Sequence, residues 1–198
     1  MVRKYYLIIA LSLLTFTVSV FSSSLTVFVH ADSIESKSFV NEGTWGTSKW
    51  TFDSASGILT VSEGVVTESD SENTPWENSN FNKSDIKSIH FTGTVKLIGR
   101  MNYTFADLTD LTSINADMLD VSEATSISRM FEGDKSLTFI DVSKWNTTNI
   151  TDMSYTFEGC ESLTSIDVSK WDVSNVGFAI SMFADCHSLQ KLDVSKWN

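Results

Sequence analysis

Two cysteines, three histidines and a row of recurring aspartates are the side chains whose chemistry could make a site in this 198-residue chain. His187 follows Cys186 directly and no acidic residue is patterned to orient it, so the pairing behind a catalytic thiol is not set up. His30 and His90 stand alone, which leaves neither zinc-ligand spacing nor a hydrolytic triad. There is no Gly-rich phosphate loop and no basic stripe. These residues predict a protein that is not an enzyme, with no catalytic, cofactor-binding or metal-ligating residues.

Cys160 and Cys186 lie 26 residues apart, a spacing shared with Leu108 and Asp134. Oxidation in an exported chain is one option. Equivalent positions in successive repeats could also lie beyond the roughly 7 Å between Cα atoms that a disulfide tolerates. Two buried free thiols are therefore the favoured reading. Asp141, Asp167 and Asp193 recur at the same interval, with Asn115 one period earlier. On parallel strands roughly 4.8 Å apart these like charges would repel. Lys144, Lys170 and Lys196 offer a salt-bridged surface as the answer. Calcium held between the aspartates is the sharper alternative, since its ligands are all oxygen, but no D-x-D-x-D-G loop is present.

The elements that place these residues come from a repeat. LTFIDVSKW at 137–145 returns at 163–171 as LTSIDVSKW and at 189–197 as LQKLDVSKW. From Met101 the 26-residue register is unbroken. It aligns Phe105, Phe131, Phe157 and Phe183 in one column, and Leu119, Trp145, Trp171 and Trp197 in another. Leu137-x-x-Ile140-x-Val142 alternates like a short half-buried strand, and Met153 and Phe157 sit four apart, as in a short helical turn. A strand plus a short helix or turn in each unit of this length predicts a leucine-rich-repeat-like solenoid: a parallel β-sheet with short helices or turns on its other side. The apolar columns point inward. The outward face is then Phe139, Asp141, Ser143, Ser165, Asp167, Ser169, Lys191, Asp193 and Ser195. Asn149 and Asn175, with Thr148 and Ser174, read as turn residues capping the backbone after each strand.

Upstream, Met1–Ala31 has the charged start, long apolar run and small-residue cleavage site of a secretory signal, with an uncleaved anchor as the lesser option. Residues 32–84 read as an N-terminal β cap and loop. TWGTSKWTFD, the turn SASG and ILTVSEG form its hairpin, and 65–83 is a covering loop anchored by Trp76, which packs rather than binds. Residues 85–198 are the solenoid, entered through Ile86-x-x-Ile89-x-Phe91 and stopping in mid-repeat, which points to a truncated product or fragment. An open final repeat would expose Leu192, Val194 and Trp197. The net charge is −11, and −13 beyond residue 31 because Arg3 and Lys4 lie before it (12 basic less 25 acidic). That balance disfavours nucleic acid and anionic lipid, so no membrane contact beyond export is expected.

The segments SMFADCHSLQKLDVSKWN and TFEGCESLTSIDVSKWDVSNV closely resemble the repeats of bacterial BspA-type leucine-rich-repeat surface proteins. GTWGTSKWTFDSASGILTVSEG resembles the β module that begins many members, with Trp45 where a Cys is frequent. SINADMLDVSEATS departs by losing the Trp, and Gly177-Phe178-Ala179 departs from the usual T-D-M. The resemblance implies a secreted or wall-attached bacterial protein that adheres to a protein or glycan on a host or neighbouring cell. The rival expectations are a structural spacer displaying another module, and the non-catalytic part of a larger exported enzyme.

Overall fold

A computed structural model describes residues 40–68, 74–77 and 81–197, all within one compact unit; the signal-peptide reading of 1–31 lies outside the described residues. The chain begins with a three-stranded antiparallel meander: β1 (Val40–Trp45), β2 (Ser48–Asp53) and β3 (Ile58–Val61). Within β2 the inward side chains are Ser48, Trp50 and Phe52, the period-two pattern of a strand with one buried face. TWGTSKWTFD is not one strand. Gly46 adopts φ +59 and closes a two-residue turn between Trp45 and Ser48, the backbone geometry that a glycine at the first central position supplies.

Parallel pairing starts at β3. Together with β4 (Gly64–Thr67), β5 (Ser88–Phe91), β6 (Val95–Arg100), β7 (Ser113–Ile114) and β8 (Leu119–Ser126), it forms two sheets, ordered β1-β2-β3-β5-β7 and β4-β6-β8. Three successive stretches of chain thus each lay one strand in either sheet. Leu59, Ile89 and Phe91 from the first sheet share a core with Val66, Val95, Leu97 and Val121 from the second. β4 occupies the start of what the sequence presents as a loop, because its run of small and polar neighbours hides the single buried Val66. Trp76 is buried in that segment, with its ring 5.7 Å from Trp45 and stacked 5.4 Å from Phe105.

Beyond Ser126 the expected strands shrink to single parallel bridges: Phe139 with Ser165, Ser165 with Lys191, and Asp152 with both Ser126 and Phe178. The neighbouring segments stay in register through backbone hydrogen bonds about one repeat apart. Phe105 N–H donates to Met130 O (2.9 Å), Phe131 to Thr156 O (2.9 Å) and Phe157 to Met182 O (2.9 Å). The expected helical turn at Met153–Phe157 is absent, and no α-helix occurs among the described residues. Tyr103, Arg129, Tyr155 and Ser181 have φ between +51 and +60, and Asp107, Gly133, Gly159 and Asp185, four residues on, between +56 and +76. Left-handed residues at that interval turn the chain sharply and break helical hydrogen bonding.

What the repeat does preserve is the interior. Phe105, Phe131, Phe157 and Phe183 stack with centroids 5.2–5.6 Å apart and planes within 15°. Trp145, Trp171 and Trp197 stack at 5.9 and 6.3 Å. Offset aromatic pairs contribute about 0.5–1.5 kcal/mol each beyond the area they bury. The indole N–H groups are satisfied as well. Those of Trp145, Trp171 and Trp197 donate to Ala116 O (2.9 Å), Val142 O (3.1 Å) and Val168 O (3.2 Å) in the preceding segment. In the last described segment Leu192 and Val194 are exposed while Trp197 is half-buried.

Candidate functional site

The outward column runs Ile58, Ser88 and Ser113 on the paired strands β3, β5 and β7. One period after Ser113 it continues as Phe139, Ser165 and Lys191 on bridges. Sequence reading found the last three and missed the first three. The 25-residue step between Ser88 and Ser113, and the absence of the DVSKW motif there, hide the continuity. Phe139 is 58% exposed, a large apolar ring open to solvent among polar neighbours. Ser88 and Ser113 are joined through their hydroxyls at 2.9 Å. At the Ile58 end the surface dips into a polar cleft of about 260 Å³ lined by Ser56, Ser84, Asp85, Lys87 and Asp110 among others.

The second column behaves differently. Thr60 pairs with His90 across the β3–β5 register, and Asn115 clamps the preceding segment: Phe91 N–H donates to its Oδ1 (2.8 Å) and its Nδ2 donates to Phe91 O (2.9 Å). Asp141, Asp167 and Asp193 follow, and each turns back on its own chain. Asp141 Oδ1 accepts from Ser143 N–H (3.0 Å) and Oγ (2.6 Å), and Asp167 does the same with Ser169 (3.0 and 2.7 Å). Asp193 Oδ1 accepts from Ser195 N–H (3.1 Å). The serine hydrogen bonds stabilise the charged form and hold all three carboxyls below the usual carboxylate range, with the next aspartate in the column opposing that for Asp141 and Asp167. Asp-x-Ser is a turn-forming unit here. Asp120 with Ser122, Asp152 with Ser154 and Asp172 with Ser174 repeat it elsewhere.

The expected lysines add a smaller contribution in the same direction, Lys144 for Asp141, Lys170 for Asp167 and Lys196 for Asp193, while the direct ion pair of Lys144 is made elsewhere. Lys144 Nζ reaches back one repeat to Asp117 Oδ2 (3.2 Å), because Asp141 is already occupied by Ser143. The pair is solvent-exposed on the lysine side, and ion pairs of that kind contribute about 0–1 kcal/mol. Lys144→Met should accordingly shift the urea unfolding free energy by less than about 0.5 kcal/mol; a loss above 2 kcal/mol would contradict the assignment. Asn149 and Asn175 also act across repeats: their Nδ2 groups donate to Ser122 O (2.7 Å) and Thr148 O (2.8 Å).

Of the nine residues expected on the face, Phe139, Ser165 and Lys191 form the exposed column, while the Asp–Ser pairs border it as turn-formers. Elsewhere, Arg129 places its guanidinium 4.0 Å from the Tyr155 ring centroid and 5.6 Å from that of Tyr103, and pairs with Glu132 (2.6 Å). The 26-residue period puts Tyr103, Arg129 and Tyr155 in one column, a signal that sequence reading passed over because their residue types differ and none of them favours the left-handed backbone they adopt. Among the described residues no three His, Cys, Asp or Glu side chains gather to hold a metal ion, and no helix is long and apolar enough to cross a membrane.

A family model described as "Mycoplasma protein of unknown function, DUF285" matches residues 99–198. No curated protein matches the chain, and no solved structure does either.

Proposed function

Because the chain belongs to the DUF285 family, whose description assigns no activity, we propose its role from the repeat itself. The reading is an exported, non-enzymatic, leucine-rich-repeat-like solenoid of the BspA type. Its outward column binds a protein or glycan on a host or neighbouring cell. The observation that carries this is Phe139, 58% exposed at the middle of a polar column that continues through Ser165 to Lys191. Exposed rings flanked by hydrogen-bonding side chains are the usual anchors of macromolecular contacts, and extended repeat surfaces bind through many such modest contacts.

The Asp–Ser turns favour a second reading, a spacer that holds another module away from the cell. Their donors and acceptors are engaged within the chain, leaving fewer groups for a partner. The two readings separate in one experiment. The full chain is immobilised and exposed to intact host-type cells and to a panel of surface glycans. Phe139→Ala should lower retention by roughly tenfold or more, as loss of an interface hot spot does, with circular dichroism unchanged because the ring is already solvent-facing. Retention by neither cells nor glycans, or equal retention by wild type and variant, would leave the spacer as the standing reading.

A further inference from the structure

Cys160 and Cys186 occupy equivalent places in neighbouring repeats, and the backbone on both sides of them is tied together. Just before the pair, Gly159 N–H donates to Ala184 O at 2.9 Å. Just after it, Ser188 N–H donates to Glu161 O at 3.2 Å. Segments clamped in this way on either side of a residue pair run at the spacing of paired strands, about 4.8 Å. The rings of Phe157 and Phe183, three residues earlier, stack 5.6 Å apart with planes 6° from parallel, so the side chains here leave their segments in the same direction. The two thiols follow suit: Cys160 Sγ lies 3.2 Å from Phe131 O and Cys186 Sγ 3.0 Å from Phe157 O, each on the carbonyl of the preceding repeat. A disulfide needs Cα atoms about 4.4–6.8 Å apart with Cβ vectors that do not diverge. The clamped register meets both conditions, although in this structure both thiols are free.

We propose that Cys160 and Cys186 are the site of an intramolecular disulfide that staples the segment after Gly177 to the repeat before it. The co-reactant is a low-molecular-weight disulfide of the glutathione class. Cys186, the less buried thiol, attacks one sulfur of the reagent as thiolate and expels one equivalent of reduced thiol. Cys160, as thiolate, then displaces the second equivalent from the mixed disulfide. One S–S bond is broken and one formed, both protein thiols lose their protons, and the reagent leaves as two thiols. The bond would tie down the part of the chain with the least packing, where Phe178 and Ile180 are 62% and 55% exposed. Burial pushes both thiols up, Cys186 to about 11 and Cys160 further, so exchange in the folded protein is slow even where the product is favoured.

The test is thermodynamic for that reason. Reduced chain is unfolded in urea and then diluted into native buffer containing a glutathione redox couple. A parallel sample stays in urea with the same couple. The fraction of bridged protein is read by acid quench, alkylation and mass spectrometry, with peptide mapping of the Cys160–Cys186 link. The equilibrium constant for the bridge should be larger in native buffer than in urea, on the order of tenfold, and cleavage within 177–197 by a trace of protease should slow to match. Cys160→Ser and Cys186→Ser should each yield only the mixed disulfide with glutathione. Where refolding aggregates, folded reduced protein incubated to constancy with the couple supplies the native value. A native constant equal to or below the urea value, or bridging that appears only between two chains, overturns the proposal. None of these readouts depends on export or on a binding partner.

Discussion

Phe131→Ala should cost about 3–5 kcal/mol of folding free energy, the range for emptying a fully buried phenylalanine site that cannot collapse. Phe131 has rings on both sides, Phe105 at 5.2 Å and Phe157 at 5.6 Å, and Trp145 lies at 6.4 Å. Its backbone is held as well, since its N–H donates to Thr156 O, so the two neighbouring phenylalanines are not free to close the gap. A domain of this size is stable by only about 5–15 kcal/mol, and its melting temperature should fall by roughly 6–20 °C. Phe183→Ala removes the same ring from the end of the same column. It is only half-buried and has one stacking partner, so its cost should be less than half as large. Urea and thermal unfolding of the two variants side by side give the measurement. Equal losses would mean that the column is not a continuous stack.

The second large effect concerns Asp134, the one carboxylate among the described residues that is fully buried. It stands in the column otherwise held by Leu108, Cys160 and Cys186. Its Oδ1 accepts from Leu108 N–H at 2.9 Å, and its Oδ2 has no partner. Burial, with the nearby Asp107 adding to it, raises the carboxyl well above its ordinary value of 3.8. A proton is therefore bound in the folded chain at pH values where the unfolded chain has released it. Stability contributed by that proton is complete below pH 3.8 and declines as pH climbs from there through the raised folded value. Asp134→Asn keeps the acceptor for Leu108 and cannot ionise. Relative to wild type it should gain stability as the buffer moves from pH 5 to pH 8, ending about 1–3 kcal/mol ahead, the scale of an unsatisfied buried polar group. Urea midpoints at three pH values decide it. A difference between the two proteins that is constant with pH, or that shrinks, would show Asp134 ionised at no cost in the folded state.

The inward half of this molecule is legible in the sequence and the outward half much less so. Phe131 and Trp171 announce themselves because a buried side chain must recur with the repeat to meet its counterpart. Ring size and apolarity suffice to predict that meeting. The short β4 strand is invisible because Val66 is its one fully buried residue. The left-handed turns at Tyr103, Arg129 and Tyr155 are hidden for a different reason. Their φ values are imposed by hydrogen bonds to the next repeat, such as Arg129 N–H to Ser154 O at 2.9 Å, against the preference of the residues themselves. Asp141 and Asp167 read as a free charged face because a sequence does not distinguish a carboxylate aimed at solvent from one closing a turn on Ser143 or Ser169. The direct partner of Lys144 is hidden for a related reason, since its reach of one repeat to Asp117 is a property of stacking and not of nearness in the chain.

Hydrogen bonds between segments join residues about one period apart, and along the repeat Phe stacks on Phe and Trp on Trp. Nothing in that scheme depends on how many periods there are. A gene encoding it can gain or lose twenty-six codons at a time by slippage or recombination, and every surviving junction still joins Phe to Phe and Trp to Trp. Loss of a single codon, by contrast, throws each downstream column out of phase. The number of repeats is thus the quantity heredity can adjust most cheaply in this protein, in steps of twenty-six residues.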